Sequence, residues 1–183
     1  MNLGPLCGMV VAAGLLTVPP LMGTSPLLVW NGSPSVTRGL YVVDRAPPKI
    51  GDLVLIRLPT RLAALAARRG YLPRRAFLIK PVVALAGATV CRHGARIYVG
   101  SKLAAVARSV DHAGRPLPGW HGCRTVQSGE VFLLAQHPDG FDGRYFGALP
   151  IRTVVGRATS VRPAFAQVMW FAEALKPVSS DAR

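Results

Sequence analysis

Phe77-Leu78-Ile79-Lys80-Pro81-Val82-Val83-Ala84-Leu85-Ala86-Gly87-Ala88-Thr89-Val90 is an apolar run interrupted only by Lys80 and Pro81. Its single charge decides the reading. A lysine set within an apolar strand is desolvated, and desolvation disfavours the ammonium form. A lysine that is neutral near physiological pH can accept a proton as a general base. An edge-strand lysine whose amine snorkels to water is the bland alternative.

Outward from this run the pattern is short and β-rich. Gly39–Val43, Leu53–Leu58, Arg96–Val99, Leu103–Ala107, Val131–Ala135 and Thr153–Val161 read as strands, with turn chemistry in Ala46-Pro47-Pro48 and Gly51-Asp52. Arg61–Arg69 is built of helix formers and stops at Gly70, so it reads as a helix. Spacing of this kind, punctuated by 19 Gly and 16 Pro, predicts an all-β or mostly β domain. Ala164–Leu175, with Phe165, Met169, Trp170 and Phe171, reads as a C-terminal helix too short to cross a membrane.

The N-terminal part is of another kind. From Met1 to Thr37 there is no Lys, Arg, Asp, Glu or His, and Leu3–Trp30 is long enough to cross a bilayer core. Leu3–Val18 is its best helical part, since Pro19, Pro20 and Pro26 follow. A retained anchor is the reading adopted; a cleavable signal peptide would ordinarily carry a basic n-region, absent here. Arg38, Arg45 and Lys49 follow the run, a charge distribution that by itself would hold the rest of the chain in the cytoplasm. The 183 residues carry 22 basic and 8 acidic side chains, a formal net charge of +14. That excess favours anionic partners in general, but no zinc finger, helix-turn-helix or aromatic RNA-binding strand accompanies it, so nucleic acid is not expected. Arg61–Arg75 reads as a solvated helix and loop, with anionic lipid headgroups as the sharper alternative. Cys7 lies in the apolar segment. Cys91 and Cys123 flank a polar stretch and fit either one disulfide in an oxidising compartment or two buried thiols.

Lys80 needs a hydroxyl partner. Asn31-Gly32-Ser33-Pro34-Ser35-Val36-Thr37-Arg38-Gly39-Leu40-Tyr41 places two serines in a turn leading into a strand. A turn can expose both a hydroxyl and backbone amides, which a nucleophile with an oxyanion hole requires. Further boxes follow in order: Gly51-Asp52-Leu53-Val54-Leu55-Ile56, then Leu78 to Gly87 around the lysine, then Phe141-Asp142-Gly143-Arg144-Tyr145-Phe146-Gly147. This ordered set, from Ser33 to Gly147, resembles the signal peptidase I family and, through Gly39-Leu40-Tyr41, its TraF-type conjugative transfer branch.

The resemblance implies a signal-peptidase-like antiparallel β-sheet catalytic core, with an N-terminal membrane segment (1–30), a peptidase domain (31–165) holding a small inserted β subdomain (91–128), and a C-terminal helix and tail (166–183). It implies Ser35 as nucleophile, Lys80 as base, Ser33 with the Ser35 amide as oxyanion donors, Asp142 and Arg144 as a supporting ion pair, and a Cys91–Cys123 disulfide. The i,i+2 spacing of Asp142 and Arg144 equally fits a charge pair on a strand with a purely structural role. No cofactor or metal is implied. The implied partners are a pilin precursor or other exported preprotein and membrane lipid, at a bacterial inner membrane with the catalytic domain in the periplasm. A general signal peptidase and an inactive secretion-apparatus scaffold are the rival readings. The chain departs from the family pattern at several places. Thr37 and Arg38 stand where a proline is usual, Pro81 where many relatives have arginine, and Ala88 where aspartate is usual. Gly140 and Gly143 take places where serine is common, so a serine that would orient the lysine amine is missing from both. His93, His112, His121 and His137 lack metal-ligand spacing. Ser109, Asp111 and His112 are sequence neighbours, unlike a triad assembled from distant segments.

Overall fold

The computed structural model describes residues 27–161, so the apolar segment before Leu27 and the expected C-terminal helix lie outside the described residues. Among the described residues, eleven strands form two antiparallel sheets. The larger sheet contains β1 (Leu27–Asn31), β2 (Gly39–Asp44), β3 (Leu53–Arg57), β4 (Phe77–Ala84), β9 (Glu130–Leu133), β10 (Leu149–Pro150) and β11 (Val154–Ser160). Its order is β1-β2-β11-β3-β4-β9-β10. The smaller sheet contains β5 (Thr89–His93), β6 (Arg96–Val99), β7 (Lys102–Val106) and β8 (Gly122–Thr125), in the order β7-β6-β5-β8.

Side chains alternate between the two faces of a strand, and β3 and β4 are covered on both. Val54, Ile56, Leu78 and Val82 pack on one face beneath helix α1 (Thr60–Arg68), whose Ala66 is fully buried. Leu55 and Ile79 pack on the other face with Tyr41, Val43 and Ala158. This two-sided burial is why both segments read as continuous apolar runs rather than as alternating ones. Lys80 shares the parity of Leu78 and Val82, which puts its side chain on the α1 face. A third cluster of Ala84, Val90, Ile97, Val126, Phe132 and Leu134 welds the smaller sheet to the larger. Cys91 and Cys123 are direct cross-strand partners in β5 and β8 and are joined as a disulfide.

Three features differ from the sequence expectation. Leu27–Trp30, the end of the predicted apolar segment, belongs to β1 and pairs with β2. Phe77–Val90 is split, because Leu85-Ala86-Gly87 turns the chain between the two sheets. Asp142 and Arg144 do not lie on a strand; Asp142 caps α2 (Gly143–Phe146), accepting a hydrogen bond from the Arg144 amide. No helix among the described residues is long and apolar enough to cross a membrane.

Candidate active site

β4 positions the base candidate. Its residues 82–84 pair with β9 and the Pro81 carbonyl still accepts from the Leu134 amide, whereas residues 77–80 pair with β3 alone, because β9 ends at Leu133. The open edge of β4 forms one wall of a cavity of about 260 Å3. Lys80 lines it and is only 3% exposed. Burial pulls its pKa down to about 8, against the opposing pull of Asp142 and with a smaller push in the same direction from Arg144.

Asp142 and Arg144 lie behind this wall, both buried. The Asp142 carboxylate accepts from the Ala135 amide at 2.9 Å and from Arg144 Nη1 at 3.1 Å. Burial pushes its carboxyl pKa up, while Arg144, the two backbone amides and Lys80 act in the opposite direction. The Arg144 guanidinium also donates to the carbonyls of His137, Gly140 and Ala135, so one side chain gathers the whole 135–142 loop. Gly140 and Gly143 make this gathering possible. A Cβ at Gly140 would sit 2.7 Å from Asp142 Oδ2 and 2.9 Å from Arg144 Nη1. One at Gly143 would sit 2.6 Å from the Leu133 carbonyl oxygen. A serine at Gly143 would meet this backbone oxygen, whereas one at Gly140 would require the Asp142 and Arg144 side-chain ends to shift. Asp142 is the opposite charge that bears on the Lys80 amine.

The hydroxyl candidates enter from the β1–β2 turn. Ser33 and Ser35 line the same cavity as Lys80, and their Oγ atoms are 3.0 Å apart. The Ser35 amide also donates to Ser33 Oγ at 3.3 Å. The two oxyanion candidates are therefore engaged with each other, and a substrate oxygen would have to take over that amide. Asn31, which sequence reasoning quoted only as the start of the turn, shapes it. Its buried amide donates to the carbonyls of Ser33, Val36 and Thr37 at 2.9, 3.2 and 3.0 Å, and its Oδ1 accepts from the Ser33 amide at 3.1 Å. Tyr41 adds a hydrogen bond from its hydroxyl to the Thr37 carbonyl at 2.7 Å.

The remaining cavity wall comes from residues not expected from the sequence to take part in the site, although Phe141 and Tyr145 stand within the last box. The connection between β7 and β8 supplies Arg108, Asp111, His112 and Leu117; Tyr71 and Leu72 follow α1; Phe141 and Tyr145 flank the Asp142 cap. Only an Asn-like side chain at a strand end, or an aromatic beside a charged box, could have hinted at them. Ser109 does not complete a triad with Asp111 and His112: Asp111 is tied to Tyr71 and Arg115, and His112 is 3.4 Å from Asp139. Cys91, His93 and Cys123 have their ligand atoms within 4.8 Å of one another. The two sulfurs are bonded to each other, so the thiolates that a metal would require are not there.

The chain belongs to the signal peptidase family, peptidase S26, which its sequence matches over residues 1–162. Within that family the similarity is to the TraF type. The chain is 36% identical to a probable conjugal transfer protein TraF of Sinorhizobium fredii (strain NBRC 101917 / NGR234) over 143 residues, 72% of this chain and 74% of that protein. It is 33% identical to a conjugal transfer protein TraF of Agrobacterium fabrum (strain C58 / ATCC 33970) over 145 residues, 74% of this chain and 80% of that protein. A crystal structure of a signal peptidase I from Enterococcus faecalis V583 aligns with 63% of this chain and all of that chain, at 19% identity and a TM-score of 0.38.

Proposed function

We infer that this chain is a serine endopeptidase of the conjugal transfer apparatus, in which Ser35 is the nucleophile and Lys80 its general base. One observation carries the reading: Ser35 and Lys80 line one cavity, and the lysine is buried enough to lose its proton near pH 8. In the reaction, neutral Lys80 takes the Ser35 hydroxyl proton while Oγ attacks the scissile carbonyl. The Lys80 ammonium then returns that proton to the leaving amine, and the peptide bond breaks to leave an acyl-enzyme. Water, or an amine of the substrate itself, is deprotonated by Lys80 and displaces Ser35; the first outcome is hydrolysis, the second a new amide. The Ser35 amide and the Ser33 hydroxyl stabilise the oxyanion once they release each other. Ser35 Oγ bonds to Ser33 before substrate arrives, and catalytic hydrogen bonds commonly tighten only in the substrate complex.

The names of the relatives support a role in conjugal transfer, and the family supports an exported preprotein as substrate. The substrate of this reading is a pilin precursor, bound as an added strand along the open edge of β4. The protein is anchored in the bacterial inner membrane by its N-terminal segment, with the catalytic domain in the periplasm, an oxidising compartment in keeping with the disulfide. The test is processing of a pilin precursor by wild type, Ser35→Ala and Lys80→Ala. Both variants are expected to lose at least about 10²–10⁴-fold in rate while remaining folded; cleavage at the normal rate in either rejects the mechanism. Wild-type kcat/KM should rise with pH and level off above about 8, as Lys80 loses its proton. Processing of a bulk secretory preprotein as fast as the pilin precursor would point to a general signal peptidase instead.

A further inference from the structure

We propose that the cavity contains, beyond the Ser35–Lys80 end, a subsite for one bulky apolar or aromatic side chain of the polypeptide substrate. The inference rests on the peptidase reading and concerns its specificity. Tyr71, Leu72, Leu117, Phe141 and Tyr145 form its walls.

Size comes first. An engineered apolar cavity of about 150 Å3 holds a benzene molecule, and the cavity here is about 260 Å3. That volume exceeds what one aromatic ring requires. The walls are also ordered in advance. Phe141 is packed by three aromatic neighbours, with ring centroids 5.4 Å from Tyr71, 6.0 Å from Tyr145 and 5.6 Å from Phe146. A wall that does not have to be ordered when the ligand arrives costs less on binding.

Polarity comes next. Both tyrosine hydroxyls are turned toward the β7–β8 connection and engaged there. Tyr71 donates to Asp111 at 2.5 Å, and the Tyr145 hydroxyl accepts from the Arg108 amide at 3.2 Å. The rings themselves pack on Phe141, and the Arg115 guanidinium lies over Tyr71, so what they add to the lining is carbon surface with no unpaired hydroxyl. The acidic groups of the rim are each paired: Asp139 with Arg108 at 2.7 Å, and Asp111 with Arg115 at 2.7 Å. Burial would push the Asp111 carboxyl up, but the hydrogen bonds from Tyr71 and Arg115 hold it well below the usual carboxylate range. No carboxylate of the rim is thus left without a cation, and nothing in the walls selects a lysine or arginine of the substrate. Apolar surface is what the walls offer.

The β7–β8 connection adds Leu117 to the lining. It is fastened to the larger sheet's side of the cavity, because Arg115 Nη2 donates to the Arg69 carbonyl at 2.9 Å. The connection between strands of the small sheet, which contributes nothing to the Ser35–Lys80 pair, therefore shapes the subsite.

Calorimetry on the full chain in detergent tests this, using Ser35→Ala protein so that ligands stay intact. The probes are an alanine-based peptide and its variants with one phenylalanine moved through successive positions. Phenylalanine at one position is expected to tighten binding by at least about tenfold, and Leu117→Trp, which fills the space, should erase that preference. Phe141→Ala serves as the second variant, also expected to flatten it, and thermal melting checks that both are folded. Equal affinity for every peptide, no binding at all, or a preference untouched by both substitutions overturns the subsite. The peptidase reading fails separately: wild type would then show the phenylalanine preference in binding but leave every peptide and the pilin precursor uncut.

Discussion

Lys80 sits within an eight-residue strand that is packed on both faces, whereas Ser35 rides an exposed turn whose shape depends on one amide side chain. The base candidate is held by the sheet and by the buried Asp142–Arg144 pair behind it. The hydroxyl candidate is held by Asn31 and Tyr41. A desolvated amine needs a rigid, dry environment to keep its shifted pKa, while a nucleophile must exchange its hydrogen bonds when substrate arrives. The two halves of the site meet these opposite demands with opposite kinds of structure.

The contrast is broken most forcefully at Arg144. Arg144→Met leaves Asp142 buried without its partner and releases the 135–142 loop, so a loss of about 3–5 kcal/mol is expected in urea unfolding. Unfolding curves that coincide with wild type would show that the lysine half is not braced in this way. A second substitution sharpens the same half. Lys80 titrates at about 8 when folded, against an ordinary 10.5. The unfolded chain therefore binds more protons between those values, and stability rises with pH across that window. Below it, the buried cation costs about 3 kcal/mol. Lys80→Met should accordingly stabilise the protein by an amount of that order at neutral pH, with the gain fading as pH approaches 10.5. A variant less stable than wild type at neutral pH would contradict the burial cost.

On the hydroxyl side the effects on stability are smaller, and rate becomes a second readout. Asn31→Ala removes the clamp on the turn, at a cost of about 1–3 kcal/mol for the backbone groups it leaves unpaired. Because it displaces Ser35, it should also lower kcat/KM by about 10²-fold. Steady-state kinetics alongside unfolding separates the two. Tyr41→Phe removes one hydroxyl from the same turn and should cost about 1 kcal/mol, with a correspondingly slight rate loss. If Tyr41→Phe damages turnover as much as Asn31→Ala does, the turn is not controlled by the asparagine.

Several parts of this molecule were readable residue by residue. Leu53-Val54-Leu55-Ile56 and Phe77-Leu78-Ile79 announce strands because buried β segments are unbroken apolar runs, and Arg61–Arg69 announces a helix through its helix formers and the Gly70 stop. Lys80 stands out because a lone charge in such a run is physically anomalous. The Asp142 cap is not legible as helix, because one helical turn of four residues is too short to show a period. β1 was hidden inside a longer apolar segment, since an edge strand and the end of a membrane segment share the same composition.

By itself, then, the sequence determined the mostly β character, the isolated amine and the two serines of the turn, all properties of composition and spacing within a few residues. Only the tertiary structure decided what surrounds them. Asn31 folds back over its own turn, Arg144 gathers a loop through carbonyls that no side-chain pattern encodes, and Tyr71, Leu117 and Phe141 come together from three distant segments. Contacts of that kind depend on how two sheets pack, and long-range packing leaves no mark on the local order of residues.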